Sequence, residues 1–452
     1  EARAQGHAAV EQESLYALAG LYASHDYDTA HAWAKRALAL ARERRDRPWE
    51  ARTLNRLGNV LTNLMRFPES RRLHEAALGI IDGRTDRWSA ADTLDHIGMS
   101  HYLSGDVPAA RASFGEAAAI FLDIGDAERA ASALSSRGLY LAVLDGACPS
   151  DAPPVTYRAD AERGLRMSRE MGWRAGEAYA LVALATASLG NSQLAEARAH
   201  AEAALAIAAD IDHPQWRTIA LLTLGLLEAN LLDAAGALRH LTEARELAQA
   251  IGSRQWTERL SAWTARCEWR LGYPVAPPPL PSTTPATIGQ RRTLLTLIER
   301  ELAEGRPDAA ERLADQLLAS GLAAEPMLLR AEALAVLDRR DDADVAFLDA
   351  RRIAGEAGPT VLLWRVAAGR SRLWREVDTD LADAEARAAS NLVESIAGDL
   401  PRPSQSAFLS AAAAWVPDIP IEQHPATVAP GGLSRRELEV LRLLTAGRTD
   451  SE

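Results

Sequence analysis

The segment DTLDHIGMSHYLSGD, residues 92–106, combines an apolar helical pattern with one small residue near its centre, Gly98. The same arrangement returns in RTLNRLGNVLTNL at 52–64, ALVALATASLGN at 180–191 and IALLTLGLLEANL at 219–231. The small residues of this first series are Gly58, Gly98, Gly138, Ala185, Gly225 and Ala265. Successive members of the series differ in number by 40, except for a single difference of 47 after Gly138. The chain therefore contains an internal repeat.

Two further series of small residues keep the same period. The second series is Ala37, Ala77, Ala117, Gly164, Ala204 and Ala244. The third series lies twelve positions after the first and is Ala30, Ser70, Ala110, Ala197 and Ala237. In the first repeat, the first-series position that precedes Ala30 is occupied by Leu18. Since bulky side chains hold crossing helices apart, these positions predict close crossings of two helices in each repeat. One helix pair cannot bury its apolar stripe alone, so the pattern predicts an all-α stack of pairs.

The single irregular step falls in DGACPSDAPPVTYRAD, residues 145–160. Its prolines and glycine forbid helix continuation, so the seven extra residues predict a longer turn inside one repeat. We expect this turn, residues 145–158, to protrude. Such a turn is either a binding loop or a tolerated insertion on the surface.

The small-residue frame resembles that of tetratricopeptide repeats, with Leu-Gly or its equivalent in the first helix and Ala twelve and nineteen positions later. The resemblance covers residues 10–272 and implies a helical superhelix, an α-solenoid. The period departs from the usual length of about 34 residues, toward the HEAT and armadillo range of about 40–47. We interpret the difference as lengthened helices.

Proline-rich segments divide the chain. We predict a repeat array over residues 1–272, a linker over 273–289, a second helical repeat segment over 290–416 and another linker over 417–432. The final segment, LSRRELEVLRLLTAGRTDSE at 433–452, begins with an S-x-x-E capping box of Ser434 and Glu437. Gly447 ends that predicted helix, and Thr449 and Glu452 repeat the capping pattern.

Residues 433–452 resemble the start of a LuxR-type helix-turn-helix domain. The matching residues are Leu433, Ser434, Arg436, Glu437, Val440, Leu441, Leu444, Gly447 and Thr449. About a third of such a domain is present, without its recognition helix, so the residues that would read DNA are unknown. Together with the repeats, this resembles the large ATP-binding regulators of that family. The resemblance implies an ATPase module before Glu1, an effector or protein partner on the repeats, and promoter DNA as partner of the completed domain.

Composition limits the activities of the chain itself. The formal net charge is −12, which suits nucleic acid poorly over most of the surface. Lys35 is the one lysine, without the Gly-rich turn and Ser/Thr of a phosphate loop, so we expect no ATP site within these residues. Cys148 and Cys267 lack ligand spacing and suit a reducing cytoplasm. No apolar run is long enough to cross a membrane, and we expect no membrane partner.

Two groups of side chains are candidates for chemistry. His96 and His101, with Asp92 and Asp95, cluster in one helix, but the histidines are five apart and a helical zinc pair is usually four apart. The tryptophans Trp49, Trp216 and Trp256 each precede a first-series position by nine. That recurrence favours packing between repeats over a ligand groove. We therefore expect no catalytic, cofactor-binding or metal-binding residue.

These observations favour the sensor and linker region of a DNA-binding regulator, with homo-oligomerisation open. Two alternatives remain. One is a tetratricopeptide interaction scaffold without a DNA role. The other is the helical region of a signalling protein whose ATPase or nucleotide cyclase module lies upstream.

Overall fold

The computed structural model describes residues 8–22, 26–276 and 285–416. Apart from one short 3-10 turn, the regular elements within these ranges are α-helices. The first nine are α1 (Ala8–Tyr22), α2 (Tyr27–Glu43), α3 (Arg47–Asn63), α4 (Phe67–Leu78), α5 (Arg87–Ser104), α6 (Val107–Asp123), α7 (Ala127–Arg137), α8 (Leu141–Gly146) and α9 (Pro154–Glu170). The next five are α10 (Arg174–Gly190), α11 (Leu194–Asp210), α12 (Pro214–Asn230), α13 (Ala234–Ala250) and α14 (Arg254–Arg270).

The long sequence repeat is built from two half-repeats of similar length. Most of these helices are seventeen residues long, and turns of three residues join most of them to the next helix. Aspartates spaced by one or two half-repeats cap the N-termini of many of these helices. Each aspartate side chain accepts a hydrogen bond from the backbone amide of the residue three positions later in the chain. They are Asp26, Asp46, Asp86, Asp106 and Asp126. Such caps fix where each helix begins, and so they set the period.

The first-series glycines occupy equivalent helix crossings, as predicted. A Cβ atom added at Gly58 would lie 2.5 Å from the His74 ring, and one at Gly98 would lie 2.8 Å from the Phe114 ring. One at Gly225 would lie 2.6 Å from the Leu241 side chain. In each case the partner lies sixteen positions further along the chain. The second-series alanines are also buried: Ala37, Ala77, Ala117, Ala204 and Ala244.

The prediction that residues 145–158 protrude is wrong. After α7 the chain forms the short helix α8, and all residues from Leu139 to Cys148 are buried. The segment LYLAVLDG at 139–146 is mostly apolar, so its burial removes more apolar surface from water than a solvent-facing turn would. In the second half of the insert, Asp151 accepts a 3.0 Å hydrogen bond from Arg111.

After the linker the chain continues with α15 (Ile288–Ala303), α16 (Pro307–Leu318), α17 (Ala324–Val336) and α18 (Arg340–Glu356). A 3-10 turn (Thr360–Leu362) then leads to α19 (Leu363–Trp374), α20 (Thr379–Gly398) and α21 (Arg402–Ala412). These helices share a hydrophobic core with the array. The Tyr140 hydroxyl donates to the Ala357 carbonyl at 2.9 Å, and the Thr360 hydroxyl donates to the Gly190 carbonyl at 3.1 Å.

Helix α10 is surrounded by other helices, and this burial accounts for its apolar sequence. Its last thirteen residues, Ala178 to Gly190, are all buried, and their sequence AYALVALATASLG is apolar or small on every side. A helix that is apolar all round must be buried all round. Helices α9 and α11 pack beside it, α7 and α12 of the neighbouring repeats also contact it, and α8 and the 3-10 turn add further contacts. The second helical segment therefore lies against the array rather than beyond its end.

Within the described ranges, no helix combines the length and the apolar character that a bilayer crossing requires. The predicted helix-turn-helix start at 433–452 and the linker at 417–432 lie outside the described residues, as does the middle of the linker at 273–289.

Candidate functional site

A cavity of about 830 Å³, open to solvent on one side, lies among α14, α15, α17, α18 and α19. Trp415, just after α21, closes one side of it. Its apolar wall consists of Leu302, Leu329, Ala335, Val336, Phe347 and Leu373. Its charged side chains are Arg270, Glu299, Glu332, Asp338, Arg340, Arg365 and Arg372. A volume of this size is within the range of small-molecule sites, about 300–1,000 Å³.

A narrow cavity of about 50 Å³ adjoins the larger one. The two share Arg270, Arg365 and Trp415, and the narrow one adds Arg266, Arg292 and Glu325 to the charged lining. Together they hold six arginines against four carboxylates. The lining of the two cavities therefore carries a local excess of positive charge in an otherwise acidic protein.

Part of that charge is tied down by Glu299. Arg266 donates two 2.8 Å hydrogen bonds to this carboxylate, and Arg270 donates a third at 3.2 Å. Burial opposes ionisation of Glu299, yet Arg266 and Arg270 hold its pKa well below its usual range. Paired charges of this kind are tolerated in an interior because each satisfies the other's hydrogen bonds. Glu299 and Arg270 therefore line the cavity as a hydrogen-bonded ion pair.

Two tryptophans contact the arginines through their ring faces. The Arg292 guanidinium lies 4.3 Å from the centre of the Trp263 ring. Around Trp415, the guanidiniums of Arg365 and Arg372 lie 5.6 Å and 5.3 Å from the ring centre. A guanidinium within about 6 Å of a ring is attracted by its electrons. These contacts orient Arg365 and Arg372 without using their hydrogen-bond donors.

The charges around Glu332 remain incompletely paired. One Glu332 carboxylate oxygen is buried and accepts no hydrogen bond, and the Arg372 guanidinium stays 4.0 Å away. Burial raises the pKa of Glu332. The Nε of Arg365 is also buried without a hydrogen-bond acceptor among the described residues. Buried donors in proteins nearly always have an acceptor, so this part of the cavity has unused capacity to bind an acceptor-rich group.

The lining consists of guanidinium donors, ring faces and apolar side chains. Such groups recognise and orient a ligand. Of the carboxylates that line the cavity, Glu299 is paired with arginines, Asp338 is exposed at the rim and Glu332 is buried, and no nucleophile stands beside a base among the lining residues. Within the described residues, the arrangement at this cavity therefore suits binding better than chemical conversion.

A second groove, of about 540 Å³, lies along α1, α3, α5 and α7. Its lining includes Asp92 and His96, two members of the histidine and aspartate cluster noted in the sequence. His96 contacts Asp92 at 3.3 Å and Asn59 at 3.1 Å, and His74 contacts Asn55 at 3.0 Å. The structure separates His101 from this network, because His101 pairs with Asp106 at 3.2 Å. Among the described residues, no group of three or more potential ligands is placed to hold a metal ion.

The recurring tryptophans pack between neighbouring repeats. Trp49 of α3 meets Tyr16 of α1 edge to face, with ring centres 5.6 Å apart. Trp216 of α12 stacks on Tyr179 of α10 at 4.5 Å, and Trp256 is buried in the core. These contacts join adjacent first helices, as the recurrence in the sequence predicts.

The comparisons with known proteins agree with a helical repeat. Residues 51–81, which run from α3 through α4, match the family model described as tetratricopeptide repeat. A search of curated protein sequences gives no match.

Solved structures of similar fold include a Rap protein complexed with competence and sporulation factor, at 12% identity and a TM-score of 0.46, covering 87% of this chain and 99% of that chain. Yeast Tom70 is similar at 12% identity and a TM-score of 0.31, covering 92% of this chain and 97% of that chain. The APC/C hetero-tetramer Cut9–Hcn1 is similar at 12% identity and a TM-score of 0.31, covering 87% and 91%. Similarity at this level says nothing about ligands.

The crossings, the period and the family match define the class: the described chain is an all-helical, tetratricopeptide-like solenoid.

Proposed function

We propose that this chain is an interaction module that binds a small effector in the 830 Å³ cavity between the array and the second helical segment. The observation that carries the proposal is the 830 Å³ cavity, whose wall combines apolar side chains with incompletely paired arginines. We also propose that the module acts by binding rather than by catalysis and needs no cofactor of its own. Two buried cysteines without a disulfide support a reducing compartment such as the cytoplasm.

Binding in the cavity can be tested with an uncharged fluorescent probe, N-phenyl-1-naphthylamine, whose emission rises in apolar surroundings. Ala335 lines the cavity, so Ala335→Trp should place a bulky ring in it and weaken binding of the probe. Ala388 is exposed on α20, and Ala388→Trp serves as the matched control that leaves binding unchanged. Equal binding by the parent and Ala335→Trp would show that the probe lies elsewhere and would count against the proposal.

We further propose that the module controls DNA binding through the unit that begins at 433–452. The support is the sequence of that segment and the position of Trp415, a cavity wall residue that stands just before the linker at 417–432. An effector that displaces Trp415 would act on the start of that linker. We expect no specific retention of promoter DNA and no ATP turnover by residues 1–452, because the recognition helix and a phosphate loop are missing from this sequence.

Gel-shift and phosphate-release assays on residues 1–452, and on a chain extended through a recognition helix, would test this second proposal. The extended chain should bind DNA with strong salt dependence. Specific DNA retention or ATP turnover by residues 1–452 would contradict it. If the extended chain also fails to bind DNA, the alternative of an interaction scaffold without a DNA role is favoured, provided that the cavity binds its probe.

A further inference from the structure

We propose that the effector is a small organic anion with an aromatic or other flat apolar body. Its acidic group is held by Arg365 and Arg372, and its body lies against Trp415. This inference rests on the proposed function, because it names the ligand class of the same cavity. The acidic group is a carboxylate, phosphate or sulfonate, all of which present several acceptor oxygens to guanidinium donors.

Some arginines of the cavity are hydrogen-bonded to carboxylates and others are not, and this difference indicates an anionic ligand. Arg266 and Arg270 are engaged by Glu299, and Arg292 faces Glu325 at 3.4 Å. By contrast, no hydrogen bond joins Arg365 to a carboxylate of the described residues, and Arg372 approaches Glu332 only to 4.0 Å, so both arginines are balanced only by charge attraction to Glu332. Like charges also crowd this side of the cavity. Although Glu299 opposes it, the neighbouring Arg266, burial and Arg365 together lower the pKa of Arg270. An anion would relieve that repulsion.

Arg365 and Arg372 are placed to act together. They lie seven positions apart on α19, which is two helical turns, and so they face the same side. Both guanidiniums contact the ring of Trp415. Arg365 is partly buried, whereas about half of the Arg372 side chain is exposed at the mouth. The pair therefore marks a path along which an acidic group enters and is then partly desolvated.

The rest of the wall determines the body of the ligand. Leu302, Leu329 and Phe347 offer apolar contact, and the ring of Trp415 offers a flat surface. The volume of about 830 Å³ fits a molecule of drug size and not a folded protein or a nucleic acid. An inorganic ion alone would leave most of this wall without a partner. These features together select an amphipathic anion.

The test compares two probes that differ by one acidic group: 8-anilinonaphthalene-1-sulfonate and the uncharged N-phenyl-1-naphthylamine. Equilibrium titrations, followed by fluorescence, would be run on the parent, Arg365→Gln and Arg372→Gln. We expect each substitution to weaken binding of the sulfonate about tenfold or more, since hydrogen bonds to charged groups are among the strong ones. Binding of the uncharged probe should change by less than about twofold.

Arg387 provides the matched control. It is exposed on α20 and does not line either cavity, so Arg387→Gln should bind both probes like the parent. Thermal unfolding of each variant would establish that the fold is kept. Equal binding of the two probes by the parent, or equal loss of both in Arg365→Gln, would overturn the anion assignment while leaving the cavity proposal intact. Failure of both probes to bind the parent would overturn the cavity proposal itself.

A further arm uses a synthetic peptide with the sequence PDIPIEQHPATVAPGG, residues 417–432. This segment follows Trp415 closely and contains two acidic residues, so it is the competing occupant within the chain. We expect the peptide to leave bound 8-anilinonaphthalene-1-sulfonate in place. Displacement by this peptide at a comparable concentration would mean that the cavity receives the linker, and it would overturn the small-ligand assignment.

Discussion

Asp145 and Arg259 are far apart in the sequence, yet they form a fully buried ion pair inside the solenoid. The indole of Trp263 donates to the same carboxylate. Neither terminal nitrogen of Arg259 has a hydrogen-bond acceptor among the described residues, so Asp145 is the group that balances this buried charge. Because Asp145 lies in the insert after α7 and Arg259 lies on α14, the ion pair holds the insert against α14. Arg291 adds hydrogen bonds of 2.9 Å and 2.8 Å to the carbonyls of Gly146 and Ala147.

The first prediction concerns this fastening. Asp145→Ala should lower the free energy of unfolding by about 3–5 kcal/mol, because it leaves Arg259 buried without its counter-charge. Urea denaturation followed by circular dichroism would measure the loss. The double variant Asp145→Leu with Arg259→Met should recover much of it, since it removes both charges. An unchanged midpoint in Asp145→Ala would mean that the insert is not held as described.

The second prediction concerns the helix crossings. Ala117 is fully buried on α6, so Ala117→Leu should overpack the contact and cost about 1–3 kcal/mol. Ala119 lies on the same helix but is exposed, and Ala119→Leu should stay within about 0.5 kcal/mol of the parent. Denaturant midpoints of the two variants provide the comparison. If both unfold like the parent, the crossing is assigned to the wrong face.

The third prediction concerns acid stability. Burial, helped by the charge of His96, lowers the pKa of His74 from 6.5 to about 3. The folded state thus keeps His74 neutral, and its contribution to stability is present above pH 6.5 and is lost as pH falls toward 3. His74 occupies the place of Phe114 in the next repeat. His74→Phe should therefore remove up to about 1.4 kcal/mol per pH unit from the acid dependence of stability. A slope equal to that of the parent between about pH 6.5 and pH 4 would contradict this.

The fourth prediction concerns Asp95, which titrates in the opposite sense. Burial raises the pKa of Asp95 from 3.8 to about 6. The folded state holds this proton more tightly than the unfolded chain, so this group lowers stability as pH rises from about 4 to about 6. Asp95→Asn should abolish that component and gain most, relative to the parent, above about pH 6. Urea midpoints at pH 5 and pH 7 would show the gain. A larger gain at pH 5 than at pH 7 would reverse the assigned direction.

The repeat was predictable because its determinants are local. Gly58, Gly98 and Gly225 contact residues sixteen positions further on, so their spacing alone specifies the crossings. The capping aspartates, such as Asp86 and Asp106, were an available signal for the half-repeat. They account for the long period, since cap positions determine helix length.

The insert and the cavity depend on distant residues, and sequence spacing does not reveal them. Asp145 is neutralised by Arg259, and nothing near Asp145 in the sequence indicates that partner. The arginines of the cavity come from several helices and resemble ordinary solvated charges when each is considered alone. A partial signal was the repeated association of tryptophan and arginine on one helix face, as in Trp263 and Arg266.

The central claim is that the 830 Å³ cavity is the binding site and that the acidic group of the ligand is what the cavity recognises. A crystal structure of the complex with 8-anilinonaphthalene-1-sulfonate tests this most directly. We predict a sulfonate oxygen at about 3 Å from the Arg365 guanidinium, with the aromatic rings against Trp415. The probe bound outside this cavity, or inside it with its sulfonate directed away from Arg365 and Arg372, would contradict the claim.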